Sequence, residues 1–254
     1  MAETQIRFTT QGLVIRETLR GETDRLLTIF TKEYGILNAY ASGAKSIKSK
    51  RSAGCSLLTY SSFSITRKGE FYRITEAEPI SSFFTMGMDV EILSLCQYFC
   101  ELSSVFVDRM NPNEEFLRLI LNSLHFLTKE NKFPPLIKAI TEFRIAVISG
   151  YRPDLLACAG CGKFEDDIMF LNLDNGELVC KECTENYDGL IPLDRTSLTA
   201  LRHIAFSEFS KIYAFSLPEE SAEKLSKITE KYLIYQTDYN FKTLEFYRSI
   251  IMYN

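Results

Sequence analysis

The sequence predicts an α+β protein: an N-terminal five-stranded β-barrel, then a C-terminal all-helical domain carrying an inserted four-cysteine segment. Three observations predict it. Short β-rich stretches punctuated by glycine fill residues 1–80. Beyond Pro79, apolar residues recur at three- and four-residue steps. Four cysteines, Cys158, Cys161, Cys180 and Cys183, fall as two C-x2-C pairs with eighteen residues between them.

The strands come first. Residues 12–16, 25–30, 36–40, 60–66 and 72–75 are rich in β-branched and aromatic residues, and Gly21, Gly35, Gly43 and Gly69 fall between them. Such runs bounded by turn residues read as strands. Five short strands in eighty residues suit a small Greek-key barrel of the OB type. The stretch from Gly43 to Gly54 is too polar for a strand and is expected to be a long loop. Helices are expected over 89–110, 113–131 and 134–150. Phe116, Leu117, Ile120, Leu121, Leu124 and Leu127 make one apolar face of the second. Further helices are expected at 197–206, 219–235 and 241–252; Pro218 with Glu219 and Glu220 is a good start for the longest. The expected domains are therefore 1–80 and 81–254, with the cysteine segment 155–189 lodged in the second.

The cysteine spacing points to a metal. Two C-x2-C pairs separated by about 15–20 residues match a four-thiolate zinc site. A two-residue gap forms a knuckle that aims both thiolates at one tetrahedral ion, and Gly160 and Gly162 suit that turn. With all four positions filled by protein, one Zn2+ would be structural rather than catalytic. Two disulfides or four unrelated thiols are the alternatives, and a redox pair would need only one C-x-x-C. Cys55, Cys96 and Cys100 have no such partners and read as buried free thiols.

Composition bounds the setting. No run approaches the ~18 apolar residues of a membrane helix. The N-terminus lacks the basic start and apolar stretch of a signal peptide. A reducing cytoplasm is expected, which favours metal over disulfides. The net charge of −4 hides an asymmetry: residues 1–80 carry 12 basic and 8 acidic residues, whereas 81–254 carry 17 basic and 25 acidic. An anionic partner is expected for the N-terminal part.

Lys45, Lys48, Lys50 and Arg51 fall in the Gly43–Gly54 stretch, which holds no acid. Lysines and arginines spaced by serine and glycine can follow a phosphate backbone. Arg67, Lys68 and Arg73 extend the basic set on the next hairpin. Tyr40, Tyr60, Phe63, Phe71 and Tyr72 lie nearby, and OB barrels stack single-stranded bases on such aromatics. The competing reading makes the stretch a solvated surface and the aromatics core. Gly43-Ala-Lys-Ser is not a P-loop, since Ala44 stands where glycine is required. Catalytic constellations are scarce. His125 and His203 sit in helical settings without partners, and Glu165-Asp166-Asp167 reads as a solvated turn. No enzymatic activity is expected.

These parts together resemble the RecO family of bacterial recombination mediators. The resemblance rests on Gly21-Glu-Thr-Asp-Arg25 and the Leu-Leu-Thr-Ile-Phe-Thr-Lys-Glu-Tyr-Gly35 that follows it. It rests also on the basic stretch and on Gly150-Tyr-Arg-Pro-Asp-Leu-Leu-Ala-Cys158. It implies binding to single- and double-stranded DNA, ATP-independent annealing, and work with RecR. It also implies help for RecA in loading onto DNA covered by single-strand-binding protein, in the cytoplasm at the nucleoid and without a membrane. The family's DNA-binding residues carry over to Lys45, Lys48, Lys50 and Arg51. Arg25 lies in the matching motif, where an ion pair with Asp24 or Glu22 is an equal reading. Some members hold the acidic tail of single-strand-binding protein between helices; Arg118, Lys138, Arg144 and Arg202 are the candidate clamps. The acidic C-terminal region departs from a DNA-binding surface. A zinc-ribbon RNA-binding or transcription-associated protein, or an adaptor docking an acidic partner, are the alternatives.

Overall fold

The computed structural model describes residues 5–44 and 51–253. Its elements are β1 (Ile6–Arg20), β2 (Asp24–Thr31), β3 (Gly35–Ala41), β4 (Thr59–Lys68), β5 (Phe71–Ser82), α1 (Val90–Phe106), α2 (Glu114–Thr128), α3 (Pro134–Ile148), β6 (Asp154–Cys158), β7 (Ile168–Asn172), β8 (Glu177–Cys180), β9 (Leu190–Asp194), α4 (Arg195–Phe206), α5 (Glu219–Thr237) and α6 (Lys242–Tyr253). The α+β class and the five-stranded barrel are as the sequence predicts.

The first five strands close into a barrel in the order β1-β2-β3-β5-β4, with β1 antiparallel to both β2 and β4 and β3 parallel to β5. Strand alternation sets the core. Val14, Leu27, Ile29, Leu37, Ala39, Phe63, Ile65 and Ile74 point inward and are buried. β1 runs well beyond its expected bounds because it serves two neighbours: Gly12 pairs with Thr31 on one side and Ser61 on the other. A Cβ at Gly12 would stand 2.6 Å from Ile29 Cγ2 and 2.9 Å from the Phe30 carbonyl oxygen, so only glycine fits this crossing.

The spatial units do not follow the expected boundary at residue 80. One unit comprises residues 1–130 and 241–254, the other 131–240. In the first, α1 packs on α2, α6 and β1. The Glu101 carboxylate of α1 accepts the amides of Lys242 (3.2 Å) and Thr243 (2.9 Å), so it caps the positive end of α6. Asp89 and Asn113 cap α1 and α2 through their side chains.

The second unit holds α3, α4 and α5, with α3 packed on α5. The cysteine segment within it is more regular than expected: β6-β8-β7-β9 form a four-stranded sheet. The region is therefore not helical throughout. Short apolar runs such as Ile168-Met-Phe-Leu and Leu178-Val carry the strand signal, which the cysteines and glycines between them obscure.

Gly35 provides a test of the first unit. Its φ of +59° lies in the left-handed region. A Cβ there would also sit 2.5 Å from the Asn111 carbonyl oxygen and 2.6 Å from that of Asp108. Gly35→Ala therefore meets both backbone strain and backbone overlap. It should lower unfolding stability in urea by at least about 2 kcal/mol.

Candidate nucleic-acid interface and metal centre

The β4–β5 hairpin sorts the predicted basic residues onto two faces. Lys68 pairs opposite Phe71, Arg67 opposite Tyr72, and Thr66 opposite Arg73. Because side chains alternate, Lys68, Phe71, Thr66 and Arg73 share the outer face, and Arg67 with Tyr72 takes the other. Arg67 lies 5.7 Å from the Tyr72 ring centroid and donates to the Gly69 carbonyl at 2.8 Å. Tyr72 itself packs edge-on to Phe8 against the core. Lys68 and Arg73, both exposed, instead line a groove of about 680 Å³ with Gln5, Thr66, Phe71 and Thr75.

Two neighbouring strands extend that outer face. On β1, Arg7 pairs opposite Thr66; on β3, Tyr40 pairs opposite Arg73. One row across the barrel thus reads Tyr40, Arg73, Thr66, Arg7. Arg7 is a cation that sequence reasoning missed, since only strand pairing brings it beside Thr66. It reaches Glu76 at 3.4 Å, with both groups largely exposed.

The aromatics separate in the same way. Phe63 is fully buried in the core. Tyr60 is half-buried, with its hydroxyl 3.0 Å from Gln11 Oε1. Tyr40 and Phe71 stand exposed on the outer face, Phe71 at 73%.

Lys45, Lys48 and Lys50 lie outside the described residues. The described residues that flank them, Gly43 and Arg51, are held by hydrogen bonds. The Gly43 amide donates to Asp24 Oδ1 at 2.8 Å. Arg51 donates through Nη2 to the Ser42 carbonyl at 2.7 Å and through Nη1 to the Ile74 carbonyl at 3.0 Å. Arg51 is therefore fastened to β5 and to the residue after β3. Arg25 is likewise internal: it pairs with Glu17 at 3.2 Å, a diagonal neighbour on β1, and neither Asp24 nor Glu22 is its partner.

Three of the four candidate clamps also serve the interior. Lys138 is buried between α3 and α5, 2.9 Å from Glu142 and 2.7 Å from Glu230, with Ser226 Oγ at 3.2 Å. Burial pushes the Glu142 carboxyl up, opposed by Lys138. Arg144 donates to the Ile204 and Ala205 carbonyls at the end of α4. Arg202 donates to the Leu155, Leu156 and Phe164 carbonyls and covers the Phe164 ring at 4.1 Å. Arg118 is exposed on α2. His125 pairs with Glu130, and His203 contacts the Lys211 carbonyl and Ser207. In the acidic cluster, Asp166 pairs with Lys163 and Glu165 with Arg202.

The four cysteines converge. One sulfur from each of Cys158, Cys161, Cys180 and Cys183 lies within 4.8 Å of all the others. Tetrahedral Zn–S bonds of about 2.3 Å place sulfurs about 3.8 Å apart, and Cys161 and Cys180 are 3.6 Å apart. The end of β6 supplies Cys158 and the end of β8 supplies Cys180. Burial works against a thiolate at Cys158, but the amides of Cys180, Cys161 and Gly160 lower its pKa to about 6. The sulfurs of Cys180 and Cys161 push Cys183 up to about 12. A divalent cation would balance the charge of four thiolates brought this close. A Cβ at Gly160 would stand 3.0 Å from Cys183 Sγ, which explains the glycine. The set fits one metal ion. Cys55, Cys96 and Cys100 are buried and free. Among the described residues, no helix is long and apolar enough to cross a membrane.

Comparison with known proteins matches both halves of the chain to one family. The family model for the N terminus of recombination protein O matches residues 1–83, and that for its C terminus matches residues 88–245. A DNA repair protein RecO of Acetivibrio thermocellus is 30% identical over 241 residues, covering 95% of this chain and 96% of that protein. Those of Caldicellulosiruptor bescii and Bacillus pumilus are 29% and 27% identical, over 95% and 87% of this chain and 98% and 86% of theirs.

The two kinds of basic residue separate by mutation. Arg51→Ala removes the guanidinium bonds to the Ser42 and Ile74 carbonyls and should cost about 1–3 kcal/mol in thermal or urea unfolding. Lys68→Ala and Arg73→Ala should change stability by less than about 0.5 kcal/mol.

Proposed function

The chain belongs to the RecO family of DNA repair proteins, and from that footing we propose that it is a non-enzymatic recombination mediator. It binds single- and double-stranded DNA on the outer face of the barrel and anneals complementary strands without ATP. With RecR it helps RecA load onto single strands held by single-strand-binding protein, whose acidic tail it engages, in the cytoplasm at the nucleoid.

One observation carries this reading: Arg7, Lys68 and Arg73 share one barrel face with exposed Tyr40 and Phe71. Two strands repel through their phosphates. A basic surface lowers that repulsion by displacing counterions, and the released ions supply much of the binding free energy. Nothing in that step reads sequence, so any complementary pair can be brought together. The bases then pair without further chemistry.

The cysteine cluster is proposed to hold one structural Zn2+ through Cys158, Cys161, Cys180 and Cys183. The ion would supply cross-links between the ends of β6 and β8 and the turns that follow them. In a reducing cytoplasm four thiolates are the expected form. The Arg202 bonds to the Leu155, Leu156 and Phe164 carbonyls join this segment to α4, so removal of the ion is felt there as well.

Anisotropy of labelled DNA over a salt series tests the first proposal. Replacing Lys45, Lys48, Lys50, Lys68 and Arg73 together by Gln should weaken binding. The log–log salt slope should fall by about 0.7–0.9 for each phosphate that the protein no longer neutralises. Unchanged affinity and slope would overturn the assignment of this face, and a preference for RNA in competition would favour the RNA-binding alternative. For the metal, mass spectrometry should find one zinc per chain. Cys158→Ser should lose it and lower the stability of residues 131–240, while full stability after complete chelation would refute a structural ion.

A further inference from the structure

Phe71 is the most exposed ring of the barrel face, and the other residues lining its groove carry polar groups. It opens β5 directly after the hairpin turn, with Lys68 as its cross-strand partner. Arg73 follows two residues later on the same face, about 6.6 Å along the strand. Gln5, Thr66 and Thr75 complete the groove with hydrogen-bonding groups. Tyr40, 39% exposed, flanks Arg73 from β3. Glu76 is engaged by Arg7 and by Ser64 Oγ at 2.9 Å.

Scattered exposed apolar residues are ordinary on protein surfaces. This one is distinguished by a cation opposite it, a cation beside it and a second aromatic beyond. The combination is chemically specific. Phosphates need the cations, and a π face needs a partner that is flat, apolar and close to those phosphates. A nucleobase meets that description.

The base must also be unpaired. In a duplex each base is covered on both faces by its neighbours, so a protein ring finds no face to stack on. A single strand exposes its bases and can place one on an aromatic side chain.

We infer that Phe71 is a stacking platform for one unpaired base, with Lys68 and Arg73 holding the adjoining phosphates and Tyr40 offering a second platform across Arg73. The groove then selects single-stranded DNA over duplex, while the Lys45–Lys50 stretch serves both. This inference rests on the DNA-binding reading proposed above and gives it a strand preference. An order for annealing follows. A stacked base is held away from its own strand until a complementary base competes for it, and pairing then removes it from the ring.

The test uses the chain of residues 1–254, which contains no tryptophan. Phe71→Trp therefore introduces a single indole at the proposed stacking position. Oligo-dT should quench its emission at least twofold, and a blunt duplex of the same length should change it little. In parallel, Phe71→Ala should weaken oligo-dT binding about tenfold and leave duplex binding within twofold. An unaltered melting temperature assigns that weakening to the missing ring rather than to folding. If oligo-dT binds with no change in indole emission, or Phe71→Ala binds both DNAs like the parent, the stacking site is refuted and the DNA-binding reading stands. Equal quenching by duplex would overturn the strand preference. Absence of any DNA binding at low salt would overturn both.

Discussion

Closure of the barrel through β1 is the constraint on which the rest of the first unit depends. β1 is hydrogen-bonded to β2 and to β4, so the sheet has no free edge there. Closure also fixes register. With a side-chain period of two, a slip of one residue in β5 would turn Phe71 and Arg73 inward and Tyr72 and Ile74 outward. Tyr40, Arg73, Thr66 and Arg7 share a row only because β3, β5, β4 and β1 are locked in that order. The glycine at the crossing of β1 lets the strand approach Ile29 and Phe30 closely enough to serve both neighbours.

Cations in this molecule divide by what they face. Arg51, Arg144 and Arg202 donate to backbone carbonyls. The planar, multi-donor guanidinium suits that task, since one side chain can satisfy several acceptors. Lys138 holds two carboxylates in the interior of the second unit, an arrangement that replacement of the lysine alone would leave with unbalanced charge. Only part of the basic content is therefore on the surface. A surplus of positive charge in the first eighty residues is a sum over both kinds and overstates what a ligand meets.

Much of this was legible beforehand, for identifiable reasons. The cysteine pairs announce themselves because the metal needs a fixed spacing, and all four sulfurs do converge. The five barrel strands are marked by glycine turns, and the helices by caps and prolines. Strand lengths were less legible, because β1 and β5 run on through residues such as Gly12 and Pro79 that usually end strands. The sheet around the cysteines was missed because each of its strands is only four or five residues long. Arg67 and Lys68 are adjacent in sequence and opposite in space, a distinction that needs the pairing register. The interior roles of Arg25 and Arg51 depend on Glu17, Ser42 and Ile74, which no local pattern connects to them.

The capping of α6 by Glu101 has a consequence for the order in which the chain can fold during synthesis. α6 belongs with the barrel and α1, yet 110 residues of another unit, 131–240, are made between them. At ribosomal speeds of about 5–20 residues per second, that interval is roughly 5–20 s. For that time α1 has emerged without the helix that covers it, and Glu101 has no amides to accept. The second unit, by contrast, is continuous and can be complete before the first. A helper that shields α1 during this window, or faster synthesis that shortens it, would act on the first unit alone.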